Sequence, residues 1–369
     1  MQVLAAVCAE PRAQFEVLPV ELAQPNEGEV LVKLVATGLC HTDIAVRDGE
    51  MPMPMPAVLG HEGAGIVVGG AKSPQLPPGT PVVMSFAHCG ECRACLSGQP
   101  SSCEEFLKRN FAGHRPDGSC CHTHLGRPLH GAFFGQSSFA THALVEERHL
   151  VPVPADLPLE LLAPLGCGLM TGAGAVMNWM RPRHGDSLVV FGLGAVGMAA
   201  LMAARIEGCN PLIAVDVQPA RLALARELGA THTIDARDGQ VAEQVRALTG
   251  GRGADCMVEA IGNPALLNGC FEALRSRGTA ALLGAPRAGQ NVSISSTLLM
   301  RGLTIKSVVE GDAVPRVFIP RLIDLHRRGL FPFEKLLRHY PFSQINTAVA
   351  AMESGAVIKP VLTFTETAG

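Results

Sequence analysis

The residues Ser187-Leu188-Val189-Val190-Phe191 run directly into Gly192-Leu193-Gly194-Ala195-Val196-Gly197 and then into a helical stretch at 198–206. A buried strand, a glycine turn and a helix in immediate succession admit few folds. The glycines permit a tight turn and close backbone approach, and the helix N-terminus offers unpaired N–H groups to an anion such as a pyrophosphate. The next apolar run, 212–216, ends on Asp216, about twenty residues beyond the turn, where a carboxylate accepts hydrogen bonds from ribose hydroxyls. The same charge would repel a 2′-phosphate, so the pattern points to NAD rather than NADP.

The rhythm continues with a helical stretch 221–228, strands at 255–260 and 279–284, and a helix at 264–274 between them. This alternation predicts an α/β fold built on a doubly wound parallel sheet at about 169–311. Before it, in 1–168, short β-rich runs such as 30–35 and 66–68 alternate with Gly/Pro turns, as in a folded-over β domain. A helix around 319–328 and a strand at 361–364 are expected to carry 312–369 back to that first domain. The chain has 369 residues, 47% of them hydrophobic, which is enough apolar material for two cores of ordinary size. Its formal net charge of −3 gives a nucleic acid or an anionic membrane nothing to attract, so the expected partner is a small molecule. The first residues read as a strand rather than a leader, and no apolar run reaches the roughly 18 uncharged residues of a membrane helix. The expected setting is cytoplasmic. Residues 51–56 alternate Met and Pro, which excludes helix and inner strand and predicts an extended loop.

Cys89, Cys92, Cys95 and Cys103 are separated by two, two and seven residues, a spacing that lets one loop wrap a tetrahedral Zn²⁺ with no open position. A second set, Cys40, His61 and Cys167, is dispersed. By spacing alone it is equally compatible with isolated buried residues. If the fold converges them, they offer the open three-ligand arrangement of a catalytic metal. The cluster Cys120-Cys121-His122-Thr123-His124 is read as a surface loop without ordered ligands.

The segments Gly38-Leu39-Cys40-His41-Thr42-Asp43 and Gly60-His61-Glu62-Gly63-Ala64-Gly65, with the four-cysteine loop, resemble the zinc-containing medium-chain alcohol dehydrogenases across essentially the whole chain. The segments 35–43, 134–141, 164–168, 318–322 and 331–333 are most similar to the bacterial aryl (benzyl) alcohol dehydrogenases, and geraniol- and perillyl-type enzymes look similar too. The resemblance implies a GroES-like β-rich catalytic domain beside a Rossmann domain, with two Zn²⁺ per subunit, one catalytic and one structural. It places Cys40, His61 and Cys167 on the catalytic zinc, with Glu62 able to approach it and Asp43 orienting His61. It also implies reversible hydride transfer from an alcohol to NAD⁺, Thr42 starting the proton's path outward. Among cofactor contacts it implies His41 and Lys359 toward the pyrophosphate, Thr171 toward the nicotinamide, and Arg221 with Asp216 toward the adenosine ribose. The turn Gly192, Gly194, Ala195, Val196, Gly197 completes the set. A homodimer or homotetramer is expected.

Two departures matter. Many members end the proton relay on a histidine five residues after the first zinc cysteine, but Ala45 stands there, leaving His41 or solvent to take the proton. Glutathione-dependent formaldehyde dehydrogenases carry an arginine four residues after the last loop cysteine, where this chain has Leu107. A primary aromatic or allylic alcohol is therefore the favoured substrate, ahead of a glutathione adduct. A noncatalytic, zinc-stabilised NAD-binding protein ranks behind both, because it would need neither Glu62 nor Thr42.

Overall fold

The computed structural model describes residues 1–285 and 289–364, which divide into two compact units. The first comprises Met1–Cys167, Val314–Ile323 and the chain from Glu334 onward; the second comprises Gly168–Ala313 and Asp324–Phe333.

In the first unit, alternate side chains of the strand Glu29–Gly38 point inward, as the two-residue period of a strand requires, and Val30, Val32 and Leu34 meet Val67, Val82, Met84 and Leu150 in one core. Fully burying each such side chain contributes roughly 1.5–3 kcal/mol. This strand is the hub of a seven-stranded sheet. It pairs antiparallel with Glu62–Gly69 on one side and Lys359–Thr363 on the other, and its first half also pairs with His142–Glu146. Pro81–Met84 and Leu150–Pro152 extend one edge of the sheet, and Leu337–Pro341 extends the other. A five-stranded sheet orders Ala57–Val58, Gln2–Cys8, Phe15–Leu22, His122–His124 and Arg127–Leu129. The N-terminal strand expected from the sequence is thus present.

The loop reading of residues 120–124 is corrected here. His122–His124 is a strand paired antiparallel on both sides, with Leu22↔His122 and His122↔Leu129 in register. The ladder, not local propensity, sets the conformation of this polar segment. Residues 51–56 form no helix, nor do they join a strand, as the alternating prolines require.

The second unit is a six-stranded, wholly parallel sheet in the order His232–Asp235, Leu212–Asp216, Leu188–Phe191, Ala254–Glu259, Leu274–Leu282, Thr304–Ser307. Its central strands are buried on both faces and read as continuous apolar runs, the signature of a sheet covered by helices. The helix Ala195–Ile206 follows the glycine turn, and Pro219–Leu228 follows Asp216. The two outermost strands, His232–Asp235 and Thr304–Ser307, escape the sequence reading because they are short and partly polar. Among the described residues no single helix is long and apolar enough to cross a membrane.

Candidate functional site

Strand register brings the dispersed residues together. Gly38 pairs with Glu62, so the chain leaving one strand at Cys40 runs beside the chain entering the other at His61. A Cβ on Gly38 would lie 1.9 Å from Glu62 Oε2, so only glycine leaves room for the carboxylate. Ala64 pairs with Val83 in the next strand, and the short turn Ala163–Gly166 packs against these strands to deliver Cys167. The potential ligand atoms of Cys40, His61, Glu62 and Cys167 all lie within 4.8 Å of one another.

Cys40 caps the helix His41–Arg47, and Asp43, three residues on, reaches back to accept the Cys40 N–H at 2.9 Å. Asp43 Oδ1 also accepts from the Gly60 N–H at 3.2 Å and lies 2.8 Å from His61 Nδ1. One buried carboxylate therefore fixes the cap, the neighbouring turn and the tautomer of the imidazole. The other ring nitrogen, His61 Nε2, is buried with no hydrogen-bond partner among the described residues. Contact with Cys167, aided by Lys359 and His61, holds the Cys40 thiol well below its ordinary range despite burial. Against the same burial, Asp43 and Cys40 push His61 well above its own. Thiolate character and an aimed, unpartnered imidazole nitrogen are what a soft divalent cation uses, so the residues fit zinc.

Lys359, expected toward a pyrophosphate, stands beside Glu62 in the structure. Its Nζ lies 2.8 and 2.9 Å from the two Glu62 oxygens and 3.0 Å from the Leu39 carbonyl oxygen, and the residue is only 3% exposed. The cause is the pairing Val361↔Gly38, which carries Lys359 in beside Leu39 and Glu62. Burial outweighs this cation and keeps the Glu62 carboxyl above its ordinary range. Thr42 Oγ1 lies 3.7 Å from Cys40 Sγ, and His41 begins the helix on its exposed side.

The four loop cysteines also converge within 4.8 Å. The Cys89 sulfur lies 3.8 Å from that of Cys95 and 3.5 Å from that of Cys103. Edges of about 3.8 Å are expected when four thiolates surround zinc at about 2.3 Å. N–H donors from Cys95 and Glu104 bring the half-buried Cys92 thiol down to about 6, while burial first, and neighbouring thiols next, push Cys95 up to about 12. A dication relieves that mutual opposition.

In the second unit the glycine turn has the predicted shape. A Cβ on Gly197 would lie 1.8 Å from the Gly192 carbonyl oxygen, whereas one on Gly194 would meet nothing within 4 Å. The second position is thus open at the N-cap of the helix Ala195–Ile206, where N–H groups await an anion, so the turn fits a dinucleotide. Asp216 accepts from the Leu193 N–H at 2.7 Å and the Gln218 N–H at 2.9 Å, which ties the carboxylate to the turn. Arg221 Nη1 stands 3.9 Å from Asp216. Thr171 lies half-buried on the helix Gly168–Gly174.

The sequence reading assigned no role to Phe133, Phe134 and Gln136. The Phe134 ring stacks on His61, with centroids 4.5 Å apart and planes at 25°, and Phe133 meets the same imidazole edge-on at 5.3 Å. Gln136 donates to the His61 carbonyl oxygen at 3.0 Å and accepts from the Gly63 N–H at 3.0 Å. Adjacent phenylalanines within a glycine-rich stretch were the available signal.

Residues 26–155 match the model of an alcohol dehydrogenase GroES-like domain, and residues 195–326 match that of a zinc-binding dehydrogenase. The chain is 43% identical to a geraniol dehydrogenase of Castellaniella defragrans over 98% of its own length and 97% of the relative's. A solved alcohol dehydrogenase zinc-binding domain protein from Burkholderia ambifaria superposes with a TM-score of 0.96 at 48% identity, covering 99% of this chain and all of that one. A benzyl alcohol dehydrogenase from Acinetobacter calcoaceticus gives 0.95 at 42% identity, with the same coverage. Similarity of this extent identifies the chain as an enzyme of the zinc-containing medium-chain alcohol dehydrogenase family.

Proposed function

We propose that this enzyme oxidises a primary aromatic or allylic alcohol, of the benzyl alcohol or geraniol kind, to the aldehyde with reduction of NAD⁺. The observation that carries the reading is the convergence of Cys40, His61, Glu62 and Cys167 around an unpartnered imidazole nitrogen. The names of the geraniol and benzyl alcohol relatives support the substrate class. Asp216, tied to an open glycine turn, supports NAD.

Cys40, His61 and Cys167 would hold one zinc and the four loop cysteines a second. Bound at the first, zinc supplies Lewis-acid polarisation that lowers the pKa of an alcohol oxygen. Asp43 holds the His61 ring in the tautomer that leaves Nε2 a lone pair. Lys359 holds Glu62 beside the cluster and offsets part of the burial that raises its carboxyl. Thr42 receives the alcohol's proton at Oγ1 and passes it outward, and with Ala45 in the usual histidine position His41 or water takes it. The Gly192–Gly197 turn would seat the pyrophosphate, Asp216 and Arg221 the adenosine ribose and Thr171 the nicotinamide end. The chain works in the cytoplasm as a homodimer or homotetramer; light scattering tests the assembly.

The test is NADH formation by the zinc-loaded enzyme offered benzyl alcohol, geraniol, ethanol and S-hydroxymethylglutathione in parallel. Preference for either of the first two is expected. Preference for the glutathione adduct would refute the substrate assignment, although Leu107 provides no guanidinium for a glutathione carboxylate. Absence of turnover with zinc bound would refute catalysis.

A further inference from the structure

The hydrogen bond from His61 Nδ1 to Asp43 holds the imidazole at one point. Neither that bond nor the attachment through Cβ presses on the face of the ring, so the imidazole can still tilt out of its plane. We infer that Phe134 is a positioning residue that removes this freedom by stacking on the His61 face, so that Nε2 stays aimed at the sulfurs of Cys40 and Cys167. The inference rests on the metal reading given under Proposed function.

The stack is built at a cost. Phe134 has φ 51° and ψ 31°, left-handed values that a bulky residue rarely adopts, and Ala132 and Ser137 flank it at φ 52° and 49°. Hydrogen bonds hold the turn in this shape. The Phe133 carbonyl accepts from the Gln136 and Ser137 N–H groups, both at 3.0 Å. Ser137 Oγ accepts from the Phe133 N–H at 3.1 Å and donates to the Val58 carbonyl at 2.7 Å. Behind the ring stands the helix Phe106–Phe111, whose Phe111 and Phe106 rings lie 5.2 and 6.3 Å from Phe134. That helix begins three residues after Cys103, so the four-cysteine loop anchors the support for the stack.

The test compares Phe134→Leu, which keeps bulk without a planar face, and Phe134→Tyr, which keeps the face. Cobalt(II) is loaded in place of zinc, with chelator competition reporting affinity and d–d absorption reporting ligand geometry at the dispersed cluster. The leucine variant is expected to bind cobalt there on the order of tenfold more weakly and with shifted bands, as outer contacts of metal ligands usually do. The tyrosine variant should restore both, and metal in the four-cysteine loop should be unaffected. A leucine variant with unchanged affinity and spectrum overturns the inference. If that variant does not fold, the unaltered protein decides: the carbon-bound ring protons of His61 should resonate upfield through the Phe134 ring current, and unshifted signals overturn it. Failure of the unaltered protein to take up cobalt at the dispersed cluster would instead sink the metal reading, and this inference with it.

Discussion

Replacing Lys359 with methionine removes the ammonium that faces the Glu62 carboxylate while nearly preserving side-chain volume. Both partners are withdrawn from water, Lys359 being 3% and Glu62 0% exposed, so solvent cannot take over the lost contact. The cost is that of leaving a buried charge unpaired, about 3–5 kcal/mol. At roughly 2–4 °C per kcal/mol for a domain of this size, the melting temperature should fall by about 6–20 °C. Protonation offers partial relief, and its direction follows from the structure. Burial already holds the Glu62 carboxyl above its ordinary range against Lys359, and without that cation it rises further. A carboxyl whose folded pKa exceeds its unfolded value favours folding most below the unfolded value and loses that contribution as pH climbs through the folded one. The variant should therefore lie nearer the parent at about pH 5 than at about pH 8. Thermal unfolding of the zinc-loaded proteins at both pH values gives the comparison, and a second change, Glu62→Gln, should recover much of the loss. A variant within about 1 kcal/mol of the parent at the higher pH would place the pair among solvent-exposed ion pairs and refute the argument.

His122 provides a pH prediction in the opposite direction. It is 1% exposed, neither ring nitrogen has a partner among the described residues, and burial followed by the charge of Arg115 lowers it to about 4. The unfolded chain binds the proton first, so this stability is full above about pH 6.5 and declines toward pH 4, by on the order of 3 kcal/mol. His122→Phe should flatten that part of the melting-temperature curve, and an unchanged slope would show that His122 does not control it. The glycine turn separates cofactor binding from folding. Gly194→Ala fills open space and should raise the KM for NAD⁺ on the order of tenfold with no loss of melting temperature. Gly197→Ala drives a Cβ into the Gly192 carbonyl and should lower stability itself. Equal behaviour of the two variants in both assays would contradict the division of roles.

Legibility in the sequence followed the range over which each feature is determined. Leu188–Phe191 and Leu212–Asp216 announce themselves because strands buried on both faces must be continuously apolar. The four-cysteine loop is equally plain because all its ligands lie on one short segment. Cys40, His61 and Cys167 became a set only through family resemblance, since the register Gly38↔Glu62 that unites them has no local signature. Lys359 was set toward a pyrophosphate by family resemblance alone, and only the pairing of its strand reveals the buried carboxylate beside it. Phe134 went unassigned because nothing in its neighbours announces a left-handed phenylalanine.

The separation of Lys359 from Glu62, 297 positions along the chain, also orders events on the ribosome. At about 5–20 residues per second, on the order of 15–60 s pass between the synthesis of one and of the other. Cys89 and Cys103 are only 14 positions apart, so their loop can close on a metal as soon as it emerges. The dispersed cluster must wait for the strand Lys359–Thr363 before Glu62 gains its counter-charge. The four-cysteine loop is therefore complete early on the nascent chain, whereas the ion pair beside the other cluster forms only when synthesis is nearly finished.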